Sequence, residues 1–245
     1  MLKFLQRLFI SLSALLLGCA TPSAKIDVLA GSSLQHKAEC VVLLHGLARS
    51  SRSMRKLERA LNGAGFRTLN IDYPSTRFTN AQLLERFIHP SISKHCPTDV
   101  YQLHFVGHSM GGILSRLYIQ QQRPAKLGKV VTIASPHQGT ELVDRLGWIP
   151  LFKWINGKSG YEMGVKAETL LDTLPKPDYP VLAIVGTFSG NPFYSLLIPG
   201  KDDGKVSIRS ASLDGAEKVL ELPYSHTYIM NKSKVIEAVL DFVID

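Results

Sequence analysis

The chain has 245 residues, of which 45% are hydrophobic and 20% charged, with a formal net charge of +8. This length and composition suit one globular domain with a sizeable core, and they exclude a disordered or low-complexity chain. The basic residues form no stripe interleaved with aromatic residues, so nucleic acid is not an expected partner.

The first 18 residues have the composition of a secretory signal. Lys3 and Arg7 precede an apolar run over residues 8–17, which is about half of the ~20 residues that a membrane-spanning helix needs. The sequence LLGC, ending at Cys19, resembles the lipobox of bacterial lipoproteins, although leucine is an unusual residue before its glycine. The resemblance implies a lipidated Cys19 and, because Ala20 follows it, an outer-membrane location. A plain cleaved signal would instead leave the protein in the periplasm.

Apolar runs and helically spaced segments alternate along the rest of the chain, after a tether over residues 19–38. The runs rich in β-branched residues predict strands over 40–45, 66–74, 100–107, 128–136, 179–187 and 217–223. The helically spaced segments predict helices over 52–65, 80–95, 110–122 and 232–244. The helix over 80–95 is expected to break at Pro90. This alternation predicts an α/β fold over residues 39–245, with a mostly parallel sheet and helices on both faces.

One serine follows the third predicted strand in the sequence GHSMG, directly before a predicted helix. G-x-S-x-G between a strand and a helix predicts a nucleophile elbow that displays Ser109 above the helix N-terminus. Gly107 and Gly111 are expected to leave room where side chains would collide with neighbouring elements. Ser109 is therefore the candidate nucleophile.

A serine nucleophile needs a general base that is oriented by an acid. In α/β folds with such a nucleophile elbow, the order along the chain is serine, acid, histidine. Only His137 and His226 follow the serine. An acid located before His137 would be too close to the serine in sequence to lie at the end of a later strand. His226, just past the last predicted strand, is therefore the candidate base. The candidate acids lie after the strand over 179–187, and we rank them in the order Asp203, Asp202, Asp214.

Acyl transfer also needs donors for the oxyanion. One expected donor is the amide of Met110, directly after the serine. The other is the amide of Leu47, in the loop after the first strand, where Gly46 lets the backbone turn towards the site. His45 is expected to hold this loop by hydrogen bonding.

Together, the segments VVLLHGLARS, VGHSMGG, IASPHQGT, DDGKVSIRSA and YSHTYI resemble bacterial lipases and esterases of the α/β-hydrolase superfamily, over roughly residues 40–244. In such lipases the aspartate before the glycine of the Asp-Gly-x-Val segment is the triad acid, which supports Asp203. The histidine of the segment that resembles SPHQGT is usually structural in these lipases, so the resemblance implies a structural role for His137. This chain shows no evident aspartate pair for the calcium site that some of them carry, so we predict neither a metal nor a cofactor.

The same resemblance has an implication for the two cysteines that remain after the signal. In this family the first strand and the serine strand are neighbours, so Cys40 and Cys96 are expected near the same end of the sheet. The resemblance therefore implies a disulfide between them, which an exported protein can form.

A lid-like insertion over about 141–175 separates two of the predicted strands. It holds both tryptophans, Trp148 and Trp154, together with Phe152. We expect these aromatic residues to bind an acyl chain or a lipid surface, with segment 190–200 as the opposite wall.

The predicted function is that of a serine hydrolase of carboxylic esters, with acyl-chain or lipid substrates and a lipid anchor in the membrane. A thioesterase, amidase or phospholipase with the same triad is the alternative. A non-catalytic binding lipoprotein is a third reading, which the filled triad positions disfavour.

Overall fold

A computed structural model describes residues 38–96, 101–165, 171 and 173–245. The predicted signal over 1–18, Cys19 and nearly all of the tether lie outside the described residues, so the expectations about them stay predictions. No helix in the described part of the chain is both long and apolar enough to cross a membrane.

The centre of the fold is a single six-stranded sheet in which every neighbouring pair is parallel. In the order β2-β1-β3-β4-β5-β6, the first strand along the chain lies inside the sheet. The strands are β1 (Cys40–Leu44), β2 (Arg67–Ile71), β3 (Leu103–His108), β4 (Leu127–Ile133), β5 (Val181–Gly186) and β6 (Lys218–Leu222). All six predicted strands are present, each shorter than its predicted segment, and the predicted α/β architecture is confirmed.

Helices connect the strands. They are α1 (Arg55–Gly63), α2 (Asn80–Leu83), α3 (His89–His95), α4 (Met110–Gln122), α5 (Glu141–Leu146), α6 (Pro150–Tyr161), α7 (Pro192–Leu197), α8 (Ile208–Ala211) and α9 (Ser233–Ile244). Short 3₁₀ turns cover Ser51–Met54 and Ile229–Asn231, and a π-helical turn covers Leu84–Ile88.

Burial explains why the central strands have almost no polar residues. Every residue of β1, β3 and β5 is buried, whereas the edge strands β2 and β6 are largely half-buried or exposed. Alternate residues of β1 enter two separate cores, with Val42 packed on one face and Val41 on the other. Helices α1 and α9 contribute to the core of Val41, and α4 contributes to the core of Val42.

The predicted break at Pro90 is wrong. The helix continues from Leu84–Ile88 into α3, and the proline lies in the first turn of α3. The amide of His89 donates to the carbonyl of Leu84 in a π-type bond. This wider turn accommodates a residue that has no amide hydrogen to donate, so the chain passes the proline without a break.

A disulfide joins Cys40 and Cys96, whose Cα atoms lie 6.0 Å apart. Cys40 begins β1, and Cys96 follows the last turn of α3. The crosslink therefore ties the helical segment after β2 to the amino end of the sheet, at the opposite end from Ser109.

Candidate active site

Ser109 occupies a sharp turn between β3 and α4. Its backbone angles are φ 55° and ψ −123°, a left-handed conformation that is costly for a residue with a side chain. A hydrogen bond of 2.8 Å from its amide to the carbonyl of Ile133 holds the turn. The strained serine thus lies directly before the first residue of α4, as expected for a nucleophile elbow.

Two glycines permit the close approach of this turn to its neighbours. A Cβ atom on Gly107 would lie 2.3 Å from the amide nitrogen of Gly112, and one on Gly111 would lie 2.1 Å from the carbonyl oxygen of Leu44. Both contacts are with backbone atoms, which cannot move aside. Even alanine at either position would therefore displace the strand or the helix.

His226 lies in the loop after β6, next to the serine. Its Nε2 atom is 3.0 Å from the Oγ atom of Ser109, and its Nδ1 atom is 2.8 Å from Oδ2 of Asp203. The carboxylate can only accept, so Nδ1–H donates to it, which leaves the Nε2 lone pair facing the serine hydroxyl. This is the tautomer that a general base for serine requires.

Asp203 is held from several directions. Its Oδ1 atom accepts from the amides of Lys205 and Val206 at 3.0 and 2.9 Å, while Oδ2 faces His226. Its own carbonyl accepts from the amide of His226 at 2.9 Å. Gly186, the last residue of β5, makes room, since a Cβ there would lie 2.7 Å from Cβ of Asp203.

The other two candidate acids have different partners. Asp202 accepts hydrogen bonds from the hydroxyl of Ser195 at 3.0 Å and from the amide of Gly204 at 2.6 Å. Asp214 forms an exposed ion pair with Lys176. Of the three ranked aspartates, the structure brings only Asp203 to His226.

The two expected oxyanion donors lie on either side of the serine. Met110 is the first residue of α4, and Leu47 lines the cavity above Ser109. Within the described residues, neither of these two amides donates a hydrogen bond to another protein group. Both N–H groups are therefore free to donate to a substrate oxygen.

The loop of Leu47 is fixed by residues on either side of it. Ala48 adopts φ 53°, and its amide donates to the hydroxyl of Ser75 at 3.0 Å. His45 is fully buried and stacks on the ring of Tyr73, whose phenol donates to the His45 carbonyl. His45 thus supports this loop, as predicted from the sequence.

His137 is bound inside the protein. Its Nδ1 atom faces the guanidinium of Arg116 at 3.3 Å, and its Nε2 atom lies 3.1 Å from the hydroxyl of Thr132. Burial and the charge of Arg116 hold the pKa of His137 well below its usual value. These partners assign it a structural position, in line with the expectation from the sequence.

His108 is a site residue that sequence reasoning missed. Its Nε2 atom lies 3.0 Å from the carbonyl oxygen of His226, so Nε2–H donates to the loop that carries the candidate base. Burial, followed by the charge of a protonated His226, holds the pKa of His108 well below its usual value. Both effects favour the neutral form of His108, and its position inside the GHSMG motif was the only signal in the sequence.

A cavity of about 200 Å³ opens above the serine. Its apolar lining includes Leu47, Leu142, Val143 and Met163. Its polar lining includes two cations that sequence reasoning also missed, Arg49 and Lys205, together with Asn156 and Tyr194. Tyr194 belongs to the segment that was expected to form the opposite wall.

The tryptophans of the insertion do not line this cavity. Trp148 and Trp154 are 75% and 81% exposed, and the expectation that they bind an acyl chain or a lipid surface stays a prediction. Helices α5 and α6 instead direct Leu142, Val143, Asn156 and Gly160 towards the serine. The side chain of Phe152 lies outside the described part of the chain.

In the described part of the chain, no three His, Cys, Asp or Glu side chains lie close enough together to hold a metal ion. The residues around Ser109 are those that acyl transfer uses: a hydroxyl, an oriented imidazole, a buried carboxylate and two free amides.

Comparison with solved structures gives the same fold. Lipase BlEst2 of Bacillus licheniformis, in its mature form, is similar with a TM-score of 0.66 and 18% identity, over 83% of this chain and 91% of that one. A lipase-esterase related protein of Clostridium acetobutylicum has a TM-score of 0.56 and 16% identity, over 85% of this chain and 96% of that one. Phospholipase PlaB of Legionella pneumophila has a TM-score of 0.59 and 16% identity, over 71% of this chain and 45% of that one.

A search of curated protein sequences finds no match to the chain. The family profile described as palmitoyl protein thioesterase matches residues 40–172. This match covers more than half of the chain, from β1 through the nucleophile elbow and into the insertion. The chain has the α/β-hydrolase fold and belongs to the palmitoyl protein thioesterase family.

Proposed function

We propose that the chain is a serine hydrolase that cleaves carboxylic esters of acyl chains through an acyl-enzyme intermediate on Ser109. The observation that carries the proposal is the continuous series of contacts from Ser109 Oγ to His226 Nε2 and from His226 Nδ1 to Asp203 Oδ2, at 3.0 and 2.8 Å. Family membership supports the broader class, a hydrolase of the lipase, esterase and thioesterase type.

In the first half-reaction, Ser109 Oγ attacks the carbonyl carbon of the ester while Nε2 of His226 takes the hydroxyl proton. The carbonyl oxygen becomes an oxyanion, which accepts hydrogen bonds from the amides of Leu47 and Met110. Asp203 stabilises the imidazolium that forms. When the tetrahedral intermediate collapses, His226 returns the proton to the leaving oxygen and the alcohol departs.

In the second half-reaction, water replaces the alcohol. His226 takes a proton from the water as the water oxygen attacks the acyl carbon, and the same two amides hold the oxyanion. Collapse releases the carboxylic acid and returns the proton to Ser109. One imidazole thus acts as base and then as acid in each half.

The cavity volume favours acyl chains of modest length. Sites for drug-sized ligands occupy about 300–1,000 Å³, and the space above Ser109 is about 200 Å³. The buried side chains of Leu142, Val143 and Met163 provide an apolar lining for such a chain. A long acyl chain would have to extend beyond these residues.

A thioester is the second candidate substrate, and the family match favours it. The same triad can cleave oxygen esters and thioesters, because both reactions pass through the same acyl-serine. Discrimination between them depends on the pocket around the leaving atom and not on the triad.

The exposed Trp148 and Trp154 support a further part of this proposal. We place these side chains against the surface of aggregated lipid substrate, outside the cavity, because large exposed aromatic residues around an active-site mouth suit such a surface. The lipid anchor at Cys19 and the outer-membrane location belong to the same proposal and rest on the sequence alone.

The test is hydrolysis of a matched pair, p-nitrophenyl butyrate and a butyryl thioester, by the wild type and by Ser109→Ala. We expect the wild type to cleave at least one of the pair, and Ser109→Ala to lose about 10⁴-fold or more in kcat on both. Hydrolysis of either substrate by Ser109→Ala at the wild-type rate would contradict the proposal. The wild-type ratio of the two rates decides between esterase and thioesterase.

A further inference from the structure

Two cations line the active-site cavity, and both are attached to the loops that carry the candidate base and acid. Arg49 donates from Nη2 to the carbonyl of Thr227 at 3.4 Å, the residue after His226. Its guanidinium also lies 5.9 Å from the ring centre of Tyr228. Lys205 follows Asp203 by two residues, and its backbone amide donates to that carboxylate. Both charges therefore lie on the side of the cavity where His226 is.

Neither cation, Arg49 nor Lys205, forms an ion pair with a carboxylate within 4.0 Å among the described residues. The nearby carboxylate is that of Asp203, and both of its oxygens are already engaged, by His226 and by the amides of Lys205 and Val206. The cavity therefore has a net positive lining next to the catalytic imidazole.

The two cations are close enough to influence each other. Partial loss of hydration lowers the pKa of Lys205, the positive charge of Arg49 lowers it further, and the carboxylate of Asp203 acts in the opposite direction. Arg49 is half-buried, while Lys205 is exposed at the cavity mouth, so a ligand entering from solvent can reach Lys205. An anion between the two cations would relieve their repulsion and accept hydrogen bonds from both.

The chemistry of the proposed function indicates which part of the substrate this anion belongs to. His226 must give its proton to the leaving atom, so the leaving group lies on the His226 side of the cavity, next to Arg49 and Lys205. The acyl chain then contacts the apolar lining formed by Leu142, Val143 and Met163.

We infer that the substrates are acyl esters or thioesters whose leaving group carries an anionic phosphate, held by Arg49 and Lys205. This inference rests on the proposed function, because it takes the leaving group to face His226. Phosphate suits the pair better than carboxylate, since its several oxygens can accept from a guanidinium and an ammonium at the same time. A phosphorylated glycerol and a phosphorylated thiol carrier present the same chemistry to these residues.

The first test compares two soluble esters that differ only in the phosphate, 1-butyrylglycerol and 1-butyrylglycerol 3-phosphate. We expect the wild-type kcat/KM to be at least about tenfold higher for the phosphate-bearing ester, since hydrogen bonds between charged groups are stronger than those between neutral groups. Lys205→Gln and Arg49→Gln should each lower this preference severalfold. The matched control is Lys201→Gln, which removes an exposed charge from the same loop outside the cavity and should leave the preference unchanged.

The second test measures binding without turnover. Calorimetry on Ser109→Ala should detect sn-glycerol 3-phosphate but not glycerol, and addition of Lys205→Gln should abolish the signal. Equal kcat/KM for the two esters, with no binding of sn-glycerol 3-phosphate, would overturn the inference and leave the proposed function intact. Binding of sn-glycerol 3-phosphate without hydrolysis of either glycerol ester, p-nitrophenyl butyrate or the butyryl thioester by the wild type would instead remove the proposed function. If inorganic phosphate binds as tightly and the wild type shows no preference between the esters, the cations form a free-anion site and the substrate assignment is wrong.

Discussion

The sheet side of the cavity and its helical side are held by different kinds of contact. On the sheet side, Ser109, His226 and Asp203 are buried and joined by hydrogen bonds of 3.0 Å or less. On the helical side, α6, α7 and the turn between α5 and α6 carry exposed aromatic or aliphatic side chains, and none of the residues of α7 is buried. The comparison teaches that the proposed triad is enclosed by the fold, whereas the proposed substrate-facing side of the cavity presents apolar side chains to solvent.

The contrast predicts the largest loss of kcat for a substitution that replaces one atom of a buried triad residue. Asp203→Asn should lower kcat for p-nitrophenyl butyrate by about 10⁴-fold, because an amide can donate to Nδ1 and so favours the wrong imidazole tautomer. Asp202→Asn is the matched control. Asp202 is equally buried but does not contact His226, so we expect a much smaller loss. A loss as large for Asp202→Asn as for Asp203→Asn would contradict the assignment of the acid.

A second prediction concerns acid sensitivity of the buried side. His108 and His137 have pKa values well below 6.5 in the folded state, so the unfolded chain binds more protons once the pH falls below about 6.5. The stability that depends on these neutral imidazoles is therefore present above that pH and is lost as the pH falls below it. Urea unfolding at pH 7, 6 and 5 should show a steep decline in the free energy of unfolding.

The variant His137→Asn isolates one of these groups, because His137 lies outside the proposed catalytic machinery. Each titrating imidazole contributes at most about 1.4 kcal/mol per pH unit, and the variant should reduce the slope by up to that amount. His95→Asn, at an exposed position, should leave the slope unchanged. An unchanged slope in His137→Asn would contradict a neutral buried state for this histidine.

The smallest effects on hydrolysis are expected from substitutions on the helical side of the cavity. Trp148→Ala and Trp154→Ala should change hydrolysis of dissolved p-nitrophenyl butyrate by no more than about twofold, since neither side chain lines the cavity above Ser109. Both should reduce hydrolysis of an emulsified long-chain ester by a larger factor, because they remove aromatic contacts with the lipid surface. Tyr101→Ala removes an exposed aromatic residue at the other end of the sheet and should change neither rate. A large loss of activity on the dissolved ester would contradict this prediction, because it would mean that the tryptophans contribute to the reaction and not only to binding of the lipid surface.

The same contrast explains how much could be predicted from the sequence. The strands were recognisable because those buried on both faces are continuous apolar runs. The residues that the structure brings together around the serine were recognisable because glycine spacing and chain order limit the choices for Ser109, Asp203 and His226. Their roles in catalysis remain proposals that the measurements described here test.

The residues that sequence reasoning missed depend on contacts between distant loops. Arg49 reaches Thr227 across 178 positions of the chain, and no local pattern encodes such a contact. The tryptophans were predicted from composition to bind an acyl chain or a lipid surface, but composition does not say that they lie outside the cavity above Ser109. Pro90 was expected to break its helix because the π-helical turn before it has no signature in the sequence.

The measurement that tests the central claim most directly is covalent labelling with a fluorophosphonate, followed by peptide mass spectrometry. The account predicts one phosphonyl group per chain, attached to Ser109, with loss of ester hydrolysis in proportion to labelling and no labelling of Ser109→Ala. Full hydrolytic activity in fully labelled protein, or inactivation with the label on another residue, would contradict it.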